Sequence, residues 1–546
     1  MKRKAVAAVL TAVMVASMFT GCGSDNGSSS AKSASAASAA SAANDTVDED
    51  GKVNGIMYQE GLPLVDEGDY TFSIFCDDSS ESGEFIMLDE FKKQTNVDVD
   101  LKIYPYETAT ERLNLDLNSG DYADVIGGWT LSDNAILTYG VNQGVFIPLE
   151  DYFEKYCPNI SAILDLPGVR EKMTAPDGHI YTIPYVCADT TVGYSPYINT
   201  KWLENVGMSM PTTTDEFEAV LKAFKEQDAN GNGDASDEIP FSTDPNNKHI
   251  EAMAGYFGLP MNKLGIAIQN EKVVYGGVSD TYREFLSWFH KLYAEGLVDV
   301  ELYTQDSSTW EGKGNQDLYG VSIAYGSNEF TGIPAAEERG DFDSMPVLNT
   351  DKDGIWLRDT EGFSVYRTQA VITNKAEHPE IICRWFDNAF ALENGIGCNR
   401  GPVGVIVNKE DDGYHAIDTT TLSEEDQEKY SWGNLWPQSL PKYLPVDFEF
   451  VEEHPMYDEK KATEEAYEAN LPKEIIPSYW IDLDKIDTFS DTNTAIKDFF
   501  EQQQAQFVCG ELDIDNDADW QAYVDGMYSL GLEDWVATQG IEEIAK

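Results

Sequence analysis

The chain has 546 residues, of which 42% are hydrophobic and 12% aromatic, so it is long enough for two or three domains with large cores. Its 97 acidic residues exceed its 37 basic residues and give a formal net charge of −60. A nucleic-acid partner is therefore excluded in practice, because its phosphates would be repelled. Anionic substrates are disfavoured unless a local basic pocket overrides this field.

The first 22 residues have the pattern of an export signal. A positively charged start over residues 1–4 precedes an almost wholly apolar run over residues 5–19, which is too short to be a comfortable membrane span. The run ends in Phe19-Thr20-Gly21-Cys22, which resembles a bacterial lipobox with Phe19 where leucine is usual. We predict a signal peptide over residues 1–21, acylation (palmitate) of Cys22 and a position on the extracellular face of the membrane. The alternative is an ordinary signal peptide with an incidental cysteine.

Residues 22–66 are predicted to be a lipid-anchored disordered linker. The stretch from residue 23 to about residue 55 is mostly Gly, Ser, Ala and Asp, and such a segment cannot offset the entropy cost of ordering. The folded body is expected over residues 67–546.

Seven cysteines are spread widely along the chain, and no CxxC pair occurs. Zinc binding and thioredoxin-type chemistry therefore have no support. With Cys22 acylated, six cysteines remain, and spacing alone does not determine whether they form disulfides. We favour buried free thiols.

Strand and helix patterns alternate at the start of the body. The predicted elements are a strand over 69–76, a helix over 85–93, a strand over 97–104, a helix over 107–117 and a strand over 123–126. This alternation is typical of a βαβ sheet. Ligands of such sheets lie outside the carboxyl ends of the strands, so Asp77, Asp78 and Trp129 are placed where a ligand would bind.

The rest of the chain continues the mixed pattern. A helix over 211–227 begins with a capping box of Thr213 and Glu216. The segment 192–199 is interpreted as a first crossing between two lobes, and a strand over 320–324 ends at Tyr325. Residues 396–480 are rich in loops, and helices over 494–507 and 520–530 complete the chain.

A run of oxygen-bearing residues follows the helix over 211–227. Asp and Asn alternate at its start, Gly233 permits a sharp turn, and the spacing matches the first seven positions of an EF-hand loop. The predicted ligands of a structural calcium ion are Asp228, Asn230, Asn232, Asp234 through its backbone, Asp237 and Glu238. The loop then departs from an EF-hand, because Ile239 stands where the bidentate glutamate belongs. The alternative is a polar turn without metal.

Several motifs together resemble one known family. They are the run over 211–240, Asp124-Val-Ile, the stretch over 144–149, the stretch over 202–207, the stretch over 293–297 and His378-Pro-Glu380. This pattern resembles the family 1 extracellular solute-binding lipoproteins of carbohydrate ABC importers, which include the alginate-binding proteins. The resemblance extends from about residue 69 to residue 532.

The resemblance implies an α/β, two-lobed periplasmic-binding-protein fold of the class II type, with a hinge and an inter-lobe cleft. It implies a first lobe of about 67–190 plus 360–410 and a second lobe of about 195–355 plus 415–546. The family's calcium loop carries over onto the six residues named above. One extra residue before Asp237 leaves the last two ligands open.

The family's ligands are mostly oligosaccharides, which are handed to a membrane permease driven by an ATPase. This chain has no GxxxxGK[ST] motif, so the ATPase would be a separate partner. We expect a monomer with no catalytic residues.

Sugar recognition needs aromatic faces for the C–H faces of the rings and polar side chains for the hydroxyls. The residues placed to supply them are Asp77, Trp129, Tyr185, Tyr194, Tyr325, Asn328, Arg400, Trp432 and Trp436.

Two other functions remain open at this stage. A lipid-anchored glycoside hydrolase would need two carboxylates facing one glycosidic bond, and no motif marks such a pair. A sugar sensor or adhesin with the same fold is the other alternative. The identity and length of the ligand are open, and peptides or other solutes are not excluded.

Overall fold

The structure is a computed structural model that describes residues 45–78, 84–245, 249–332, 341–417, 419–451 and 455–545. The signal peptide and Cys22 lie outside these residues, and so does most of the linker. Within the described ranges, no helix is both long and apolar enough to cross a membrane.

The first sheet has four strands, in the order Ala370–Ile372, Val125–Gly127, Tyr70–Asp77 and Val97–Tyr104. The strand Tyr70–Asp77 is parallel to both of its neighbours, and Ala370–Ile372 runs antiparallel at the edge. Parallel strands need crossover connections, which the helices Ile86–Thr95 and Tyr106–Ser119 provide. The predicted alternation of strands and helices is therefore confirmed here.

The second sheet has the order Phe342–Ser344, Ser195–Asn199, Tyr319–Ala324 and Ile239–Thr243. Every residue of Tyr319–Ala324 is buried, as expected of a central strand. The helices Thr214–Glu226 and Asp280–Ala294 bury their apolar stripes in the same core.

The helix Thr214–Glu226 begins with a modified form of the predicted capping box. Thr213 accepts from the amide of Glu216 at 3.2 Å, as an N-cap residue should. The carboxylate of Glu216 accepts from the amide of Thr212 at 2.9 Å, and hydrogen bonds from Thr212 and then from Thr213 lower its pKa.

Two large hydrophobic cores separate the described chain into two lobes. The first core draws on residues 53–186 and 370–440. The second core draws on residues 192–356 and 467–545. Two antiparallel strands, Tyr185–Ala188 and Phe363–Tyr366, lie in the chain segments that pass from one core to the other. They are called the crossing strands below. The two-lobed α/β architecture predicted from the sequence is confirmed.

The structure corrects the predicted boundaries in two places. Residues 45–66 were assigned to the disordered linker, but Val53 and Met57 form part of a hairpin and are fully buried in the first core. Their apolar side chains are too scattered to form a periodic pattern, so only tertiary contact reveals them. Trp436 and Leu440 were assigned to the second lobe, but they pack in the first core. The other lobe boundaries stay a prediction.

The remaining elements complete the two lobes. The other α-helices are Asp133–Ala135, Glu150–Tyr156, Pro158–Leu164, Val169–Met173, Thr200–Val206, Ser307–Gly314, Asn328–Thr331, Pro379–Ala389, Leu392–Arg400, Glu424–Lys429, Pro455–Tyr467, Ile486–Cys509, Asp517–Ser529 and Leu532–Thr538. A π-helix spans Ile136–Asn142, and a 3-10 helix spans Ile250–Phe257. The other strands are Lys52–Val53, Met57–Tyr58, Ile266–Gln269, Lys272–Tyr275, Val407–Glu410, Gly413–Ala416 and Glu543–Ile544. The six cysteines in the described residues are free thiols, and Cys76, Cys157, Cys383 and Cys398 are buried.

A buried carboxylate in the first lobe predicts a pH-dependent stability. Asp387 accepts from the amide of Ile160 at 2.8 Å and from Nδ2 of Asn159 at 3.0 Å, and burial raises its pKa to about 6. The folded protein therefore holds a proton that the unfolded chain, with a pKa near 3.9, releases earlier. The resulting stabilisation is complete below the unfolded pKa and is lost as the pH rises through about 6.

We expect Asp387→Asn, which cannot ionise, to melt higher relative to the natural protein at pH 7.5 than it does at pH 4.5. Thermal melts of both proteins at both pH values measure this difference. A melting difference that does not change with pH would contradict the role given to Asp387.

Candidate ligand-binding cleft

The carboxyl end of the strand Tyr70–Asp77 supports an exposed tryptophan. Asp77 is buried, and its carboxylate accepts from the amides of Trp129 at 3.0 Å and Thr130 at 2.6 Å, and also from the Thr130 hydroxyl. Gly128 has a φ of 134°, and a Cβ added to it would lie 2.3 Å from Oδ1 of Asp77. Only glycine permits this close approach. Asp77, predicted as a ligand contact, thus serves in the structure as the anchor of Trp129.

Trp129 leads an aromatic group in the first lobe. Its side chain is 46% exposed, and its ring centroid lies 5.3 Å from that of Tyr366 and 6.4 Å from that of Tyr185. Tyr185 and Tyr366 are opposite each other on the crossing strands. Tyr366 was not singled out in the sequence, although it ends an extended segment opposite Tyr185. An open indole face braced by two tyrosines is suited to stacking on a sugar ring.

A second aromatic group lies in the other lobe. Tyr325 follows the strand Tyr319–Ala324, and its ring meets Tyr194 edge-on at 6.0 Å. Tyr194 stacks on His249 with centroids 4.1 Å apart. Burial lowers the pKa of His249 to about 4, so its ring is neutral at neutral pH. Asn328 begins the short helix just beyond Tyr325.

Asp189 connects the two aromatic groups. It follows the strand Tyr185–Ala188 directly, and its carboxylate accepts from the hydroxyl of Ser364 at 2.5 Å and from the hydroxyl of Tyr325 at 3.4 Å. The crossing strands and Asp189 therefore form a hydrogen-bonded link from the first aromatic group to the second. Four predicted residues, Trp129, Tyr185, Tyr194 and Tyr325, are thus joined by ring contacts and hydrogen bonds where the lobes meet.

The structure separates Trp436 from the other candidates. Its side chain is fully buried, and its ring stacks on Trp385 at 5.7 Å and meets Phe91 at 5.3 Å. Its indole nitrogen donates to the carbonyl of Leu440 at 3.3 Å. Trp436 is therefore a core residue, and its prediction as a ligand contact was wrong.

The last two candidates, Arg400 and Trp432, also belong to the first lobe. Arg400 ends the helix Leu392–Arg400, with its guanidinium 5.9 Å from the ring of Phe450. Trp432 is 57% exposed and lies on the loop segment before Trp436.

A helix that the sequence analysis missed holds two cleft loops in place. It spans Pro455–Tyr467, and its Glu459 accepts from the amide of Ser327 at 2.8 Å. Its Glu464 accepts from the amide of Thr191 at 2.5 Å. The available signal was Pro455 at the first helical position, followed by a stretch without Gly or Pro.

The buried cations of this region are already engaged by the protein. Lys460 donates to the carbonyl of Gly193 at 2.6 Å and to that of Tyr325, and it lies 4.1 Å from the Tyr325 ring centroid. Burial lowers the pKa of Lys460 to about 8. Arg367 donates to both carboxylate oxygens of Asp133, at 2.8 and 2.5 Å.

A cavity of about 640 Å³ lies beside the loop that follows Trp129. It falls in the size range of small-molecule sites. Its polar lining includes Ser132 and Asn134 from the first lobe and Asn262, Ser478 and Asn493 from other segments. Their amides and hydroxyls are of the kind that pair with sugar hydroxyls.

The predicted cation loop is shaped by its own side chains. Asp228 accepts from the amide of Gly233 at 3.0 Å, Asn230 from that of Asn232 at 3.0 Å, and Asn232 from that of Asp234 at 2.7 Å. The side-chain amides of Asn230 and Asn232 both donate to Asp237, so these three side chains lie together. The full set of six calcium ligands stays a prediction.

Two oxygens of this loop are left without protein partners. Oδ1 of Asp228 and Oε2 of Glu238 are buried and have no hydrogen bond among the described residues. Asp237 accepts from the side-chain amides of Asn230 at 3.2 Å and Asn232 at 2.7 Å. Buried carboxylate oxygens are costly without a partner, and a hard cation is the partner that this oxygen-rich set fits.

A second group of residues that could hold a metal ion lies outside this loop. Within the part of the chain that the structure covers, ligand atoms of Glu410, Asp412 and His415 lie within 4.8 Å of one another. Glu410 and Asp412 are exposed and flank a hairpin turn. The cation loop differs because it also supplies amide and backbone oxygens.

Two lobes joined by crossing segments, with aromatic groups where the lobes meet, define a substrate-binding protein of the two-domain type. The chain belongs to the bacterial extracellular solute-binding proteins, since the model of that family matches residues 78–395. The resemblance inferred from the sequence motifs is thereby confirmed.

Two curated relatives show how far the similarity extends. The chain is 31% identical over 411 residues to the fructooligosaccharide ABC transporter substrate-binding protein FusA of Streptococcus pneumoniae, covering 73% of this chain and 70% of FusA. It is 28% identical over 280 residues to the lipoprotein LipO of Bacillus subtilis, covering 50% of this chain and 52% of LipO.

Solved structures agree with this assignment. FusA of S. pneumoniae in complex with kestose superposes with a TM-score of 0.75 at 26% identity, covering 86% of this chain and 98% of FusA. The alginate-binding protein AlgQ2 without calcium ion superposes with a TM-score of 0.70 at 22% identity, covering 88% of this chain and 99% of AlgQ2, and it supports the fold alone.

Proposed function

We propose that this protein is the substrate-binding component of an ABC importer, which captures an oligosaccharide outside the cell and delivers it to a membrane permease. The similarity to FusA, a fructooligosaccharide-binding protein, supports this proposal. The single observation that carries it is Trp129, which is 46% exposed yet fixed by Asp77 where the lobes meet.

Capture follows from the arrangement of the aromatic groups. The apolar face of a sugar ring stacks on Trp129, while Tyr185 and Tyr366 fix the angle of the indole. Tyr325 and Tyr194 approach from the other lobe. Closure about the crossing segments then encloses the sugar, as in other two-lobed binding proteins.

The charges favour a neutral sugar. Lys460 and Arg367 already donate to carbonyls and to Asp133. A carboxylate of a uronic acid would compete with these partners and would face Asp189 and Glu459 as well. We infer that the ligand carries no net negative charge, which agrees with the net charge of −60.

The remaining features of the proposal concern the anchor and the ion. Acylation at Cys22 would tether the protein to the outer face of the membrane, and the similarity to the lipoprotein LipO supports this. The loop over 228–238 would hold a structural calcium ion, because of its two unpartnered carboxylate oxygens. A solved FusA structure described as an EF-hand mutant, 27% identical over 86% of this chain, supports the presence of such a loop in a relative.

No catalytic step is proposed. A glycoside hydrolase needs a pair of carboxylates free to act on one bond. In the cleft, Asp77, Glu459 and Glu464 each accept hydrogen bonds from backbone amides of the protein itself. FusA, the relative that is 31% identical, is the substrate-binding component of an ABC transporter.

Replacing Trp129 by alanine is expected to weaken binding of the best oligosaccharide by at least about 30-fold, since a central stacking residue contributes about 2 kcal/mol or more. Calorimetry with neutral and uronic-acid oligosaccharides, and chromatography of the same mixtures for products, make the measurement. Because Trp129 is half-exposed, the melting temperature should stay within about a degree, as expected of a surface change.

Tyr528→Ala removes an aromatic ring that is 42% exposed in the helix Asp517–Ser529, and it serves as the matched control. Trp129→Phe should keep most of the affinity. Equal binding by Trp129→Ala, or release of shorter sugars during incubation, would contradict the proposed function.

A further inference from the structure

Two tryptophans of the first lobe are unusually exposed. The chain has eleven tryptophans, and most are buried in the two cores. Trp129 is 46% exposed and Trp432 is 57% exposed. A large apolar ring facing solvent forgoes the benefit of burial, and exposed aromatic surface commonly marks a binding site.

Both exposed tryptophans are linked by hydrogen bonds to consecutive residues at the end of one strand, Trp129 directly to Asp77 and Trp432 to Asp78 through Gln438. Asp77 accepts from the amide of Trp129 at 3.0 Å. Asp78 accepts from the amide of Gln438 at 2.6 Å, and Nε2 of Gln438 donates to the carbonyl of Trp432 at 2.9 Å. The loop that carries Trp432 therefore lies at the same carboxyl edge of the first sheet as Trp129, where ligands of α/β sheets bind.

A buried polar network fixes the loop that carries Trp432. Gln438 and Lys442 are 7% and 3% exposed. Nζ of Lys442 donates to Oε1 of Gln438 at 2.7 Å and lies 5.1 Å from the centroid of the Trp432 ring. Nε2 of Gln438 also donates to the carbonyl of Trp436 at 3.0 Å, so both the nitrogen and the oxygen of its side-chain amide are hydrogen-bonded.

This network prearranges an exposed ring. Burying a lysine and a glutamine is costly unless their polar atoms are paired, and here the pairing holds the backbone of Trp432 in one position. Lys442 lies over the ring, which remains 57% exposed. A fixed aromatic face loses little entropy when a ligand stacks on it, which favours binding.

The two rings have different surroundings. Trp129 packs against Tyr185 and Tyr366, whereas Trp432 is accompanied by Lys442. Each ring is carried by its own loop, and the backbone of each loop is linked to a different aspartate. A sugar unit stacked on Trp129 does not occupy the exposed ring of Trp432.

Resting on the proposed function, we propose that Trp432 is a second stacking platform that binds sugar units beyond the one on Trp129 and so makes the protein selective for longer oligosaccharides. Gln438 acts as a positioning residue for this platform. The ligand class is a neutral oligosaccharide long enough to reach both rings.

The test is calorimetry on the full chain with neutral oligosaccharide series of two to six units, built from fructose, xylose, glucose and mannose. For the series that binds, affinity should rise with length. Trp432→Ala should weaken the longest member by about 10-fold and the disaccharide by less than about twofold. Trp129→Ala should weaken every member.

Two further variants separate positioning from stacking. Trp432→Phe should restore most of the affinity for long ligands. Gln438→Ala leaves the ring but frees its loop, so it should reproduce the length-dependent loss and lower the steady-state anisotropy of the tryptophan fluorescence. Because Trp432 is exposed, its variants should fold, and thermal melts verify this.

The outcomes distinguish the two levels of the proposal. If the natural protein binds oligosaccharides but Trp432→Ala changes no affinity, or lowers all of them equally, the second platform is refuted while the proposed function stands. If the natural protein binds no member of any series, the proposed function falls and the second platform falls with it.

Discussion

Replacing Trp436 by alanine is expected to lower the free energy of unfolding by about 3–5 kcal/mol, the usual cost of removing a large aromatic side chain from a core. Trp436 is fully buried and stacks on Trp385 at 5.7 Å, and it also meets Phe91. Its loss leaves a cavity between two helices, Ile86–Thr95 and Pro379–Ala389, that cover the first sheet. Denaturant unfolding followed by fluorescence measures the change.

Trp432→Ala provides the matched control for this prediction. Trp432 is four positions earlier in the chain and is 57% exposed, so its removal should cost less than about 0.5 kcal/mol. The affinity of the folded fraction of Trp436→Ala for a disaccharide should be unchanged. A small stability loss in Trp436→Ala, or a loss as large in Trp432→Ala, would disprove the assignment of one residue to the core and the other to the surface.

The pair Trp432 and Trp436 also shows where reasoning from the sequence ends. Both residues lie in a loop-rich stretch and both were predicted to contact the ligand. The partners that bury Trp436 are Phe91 and Trp385, which are distant in sequence. No local pattern encodes such contacts, so the sequence alone could not separate the two residues.

Local patterns did predict much of the framework. The strands Tyr70–Asp77 and Val97–Tyr104 follow from alternating apolar residues, and the helix Thr214–Glu226 follows from its apolar stripe and its cap. The positions after strands, Trp129 and Tyr325, were placed correctly at strand ends because chain order and sheet edge are linked in α/β folds.

The parts of the site that were missed depend on long-range contacts. Lys460 reaches the carbonyls of Gly193 and Tyr325 across large separations in sequence. Its helix Pro455–Tyr467 has a weak apolar stripe and lies in a stretch that was predicted to be mainly loops. Gln438 is a polar residue in a loop, and its buried position depends on a contact with the distant Asp78, which accepts from its backbone amide.

The cation loop is the opposite case, because its whole geometry is local. Its ligand candidates span Asp228 to Glu238, and the turns that align them are formed by hydrogen bonds two to five residues apart. The spacing of Asp, Asn and Gly is therefore sufficient to predict the turns of this loop, whereas its role as a calcium site stays a prediction.

Removing calcium is expected to lower the melting temperature by several degrees. The loop connects the helix Thr214–Glu226 to the strand Ile239–Thr243 of the second sheet, so an ion there ties two core elements together. Without an ion, Oδ1 of Asp228 and Oε2 of Glu238 are buried without partners. At 1 mM calcium and a dissociation constant of about 1 µM, binding would add about 4 kcal/mol to the stability.

Thermal melts in calcium, in magnesium and in excess EGTA make this measurement. Calcium should raise the melting temperature more than magnesium does, because the loop offers many oxygens in a flexible arrangement. Asp228→Ala and Glu238→Gln should melt below the temperature of the natural protein in calcium in all three buffers, and calcium should no longer raise their melting temperature. Asp412→Asn changes an exposed acidic residue of another candidate group, and it should keep the response, which separates site binding from general screening of the acidic surface. Identical melting of the natural protein in calcium and in EGTA would remove calcium from the proposed function and leave a polar turn.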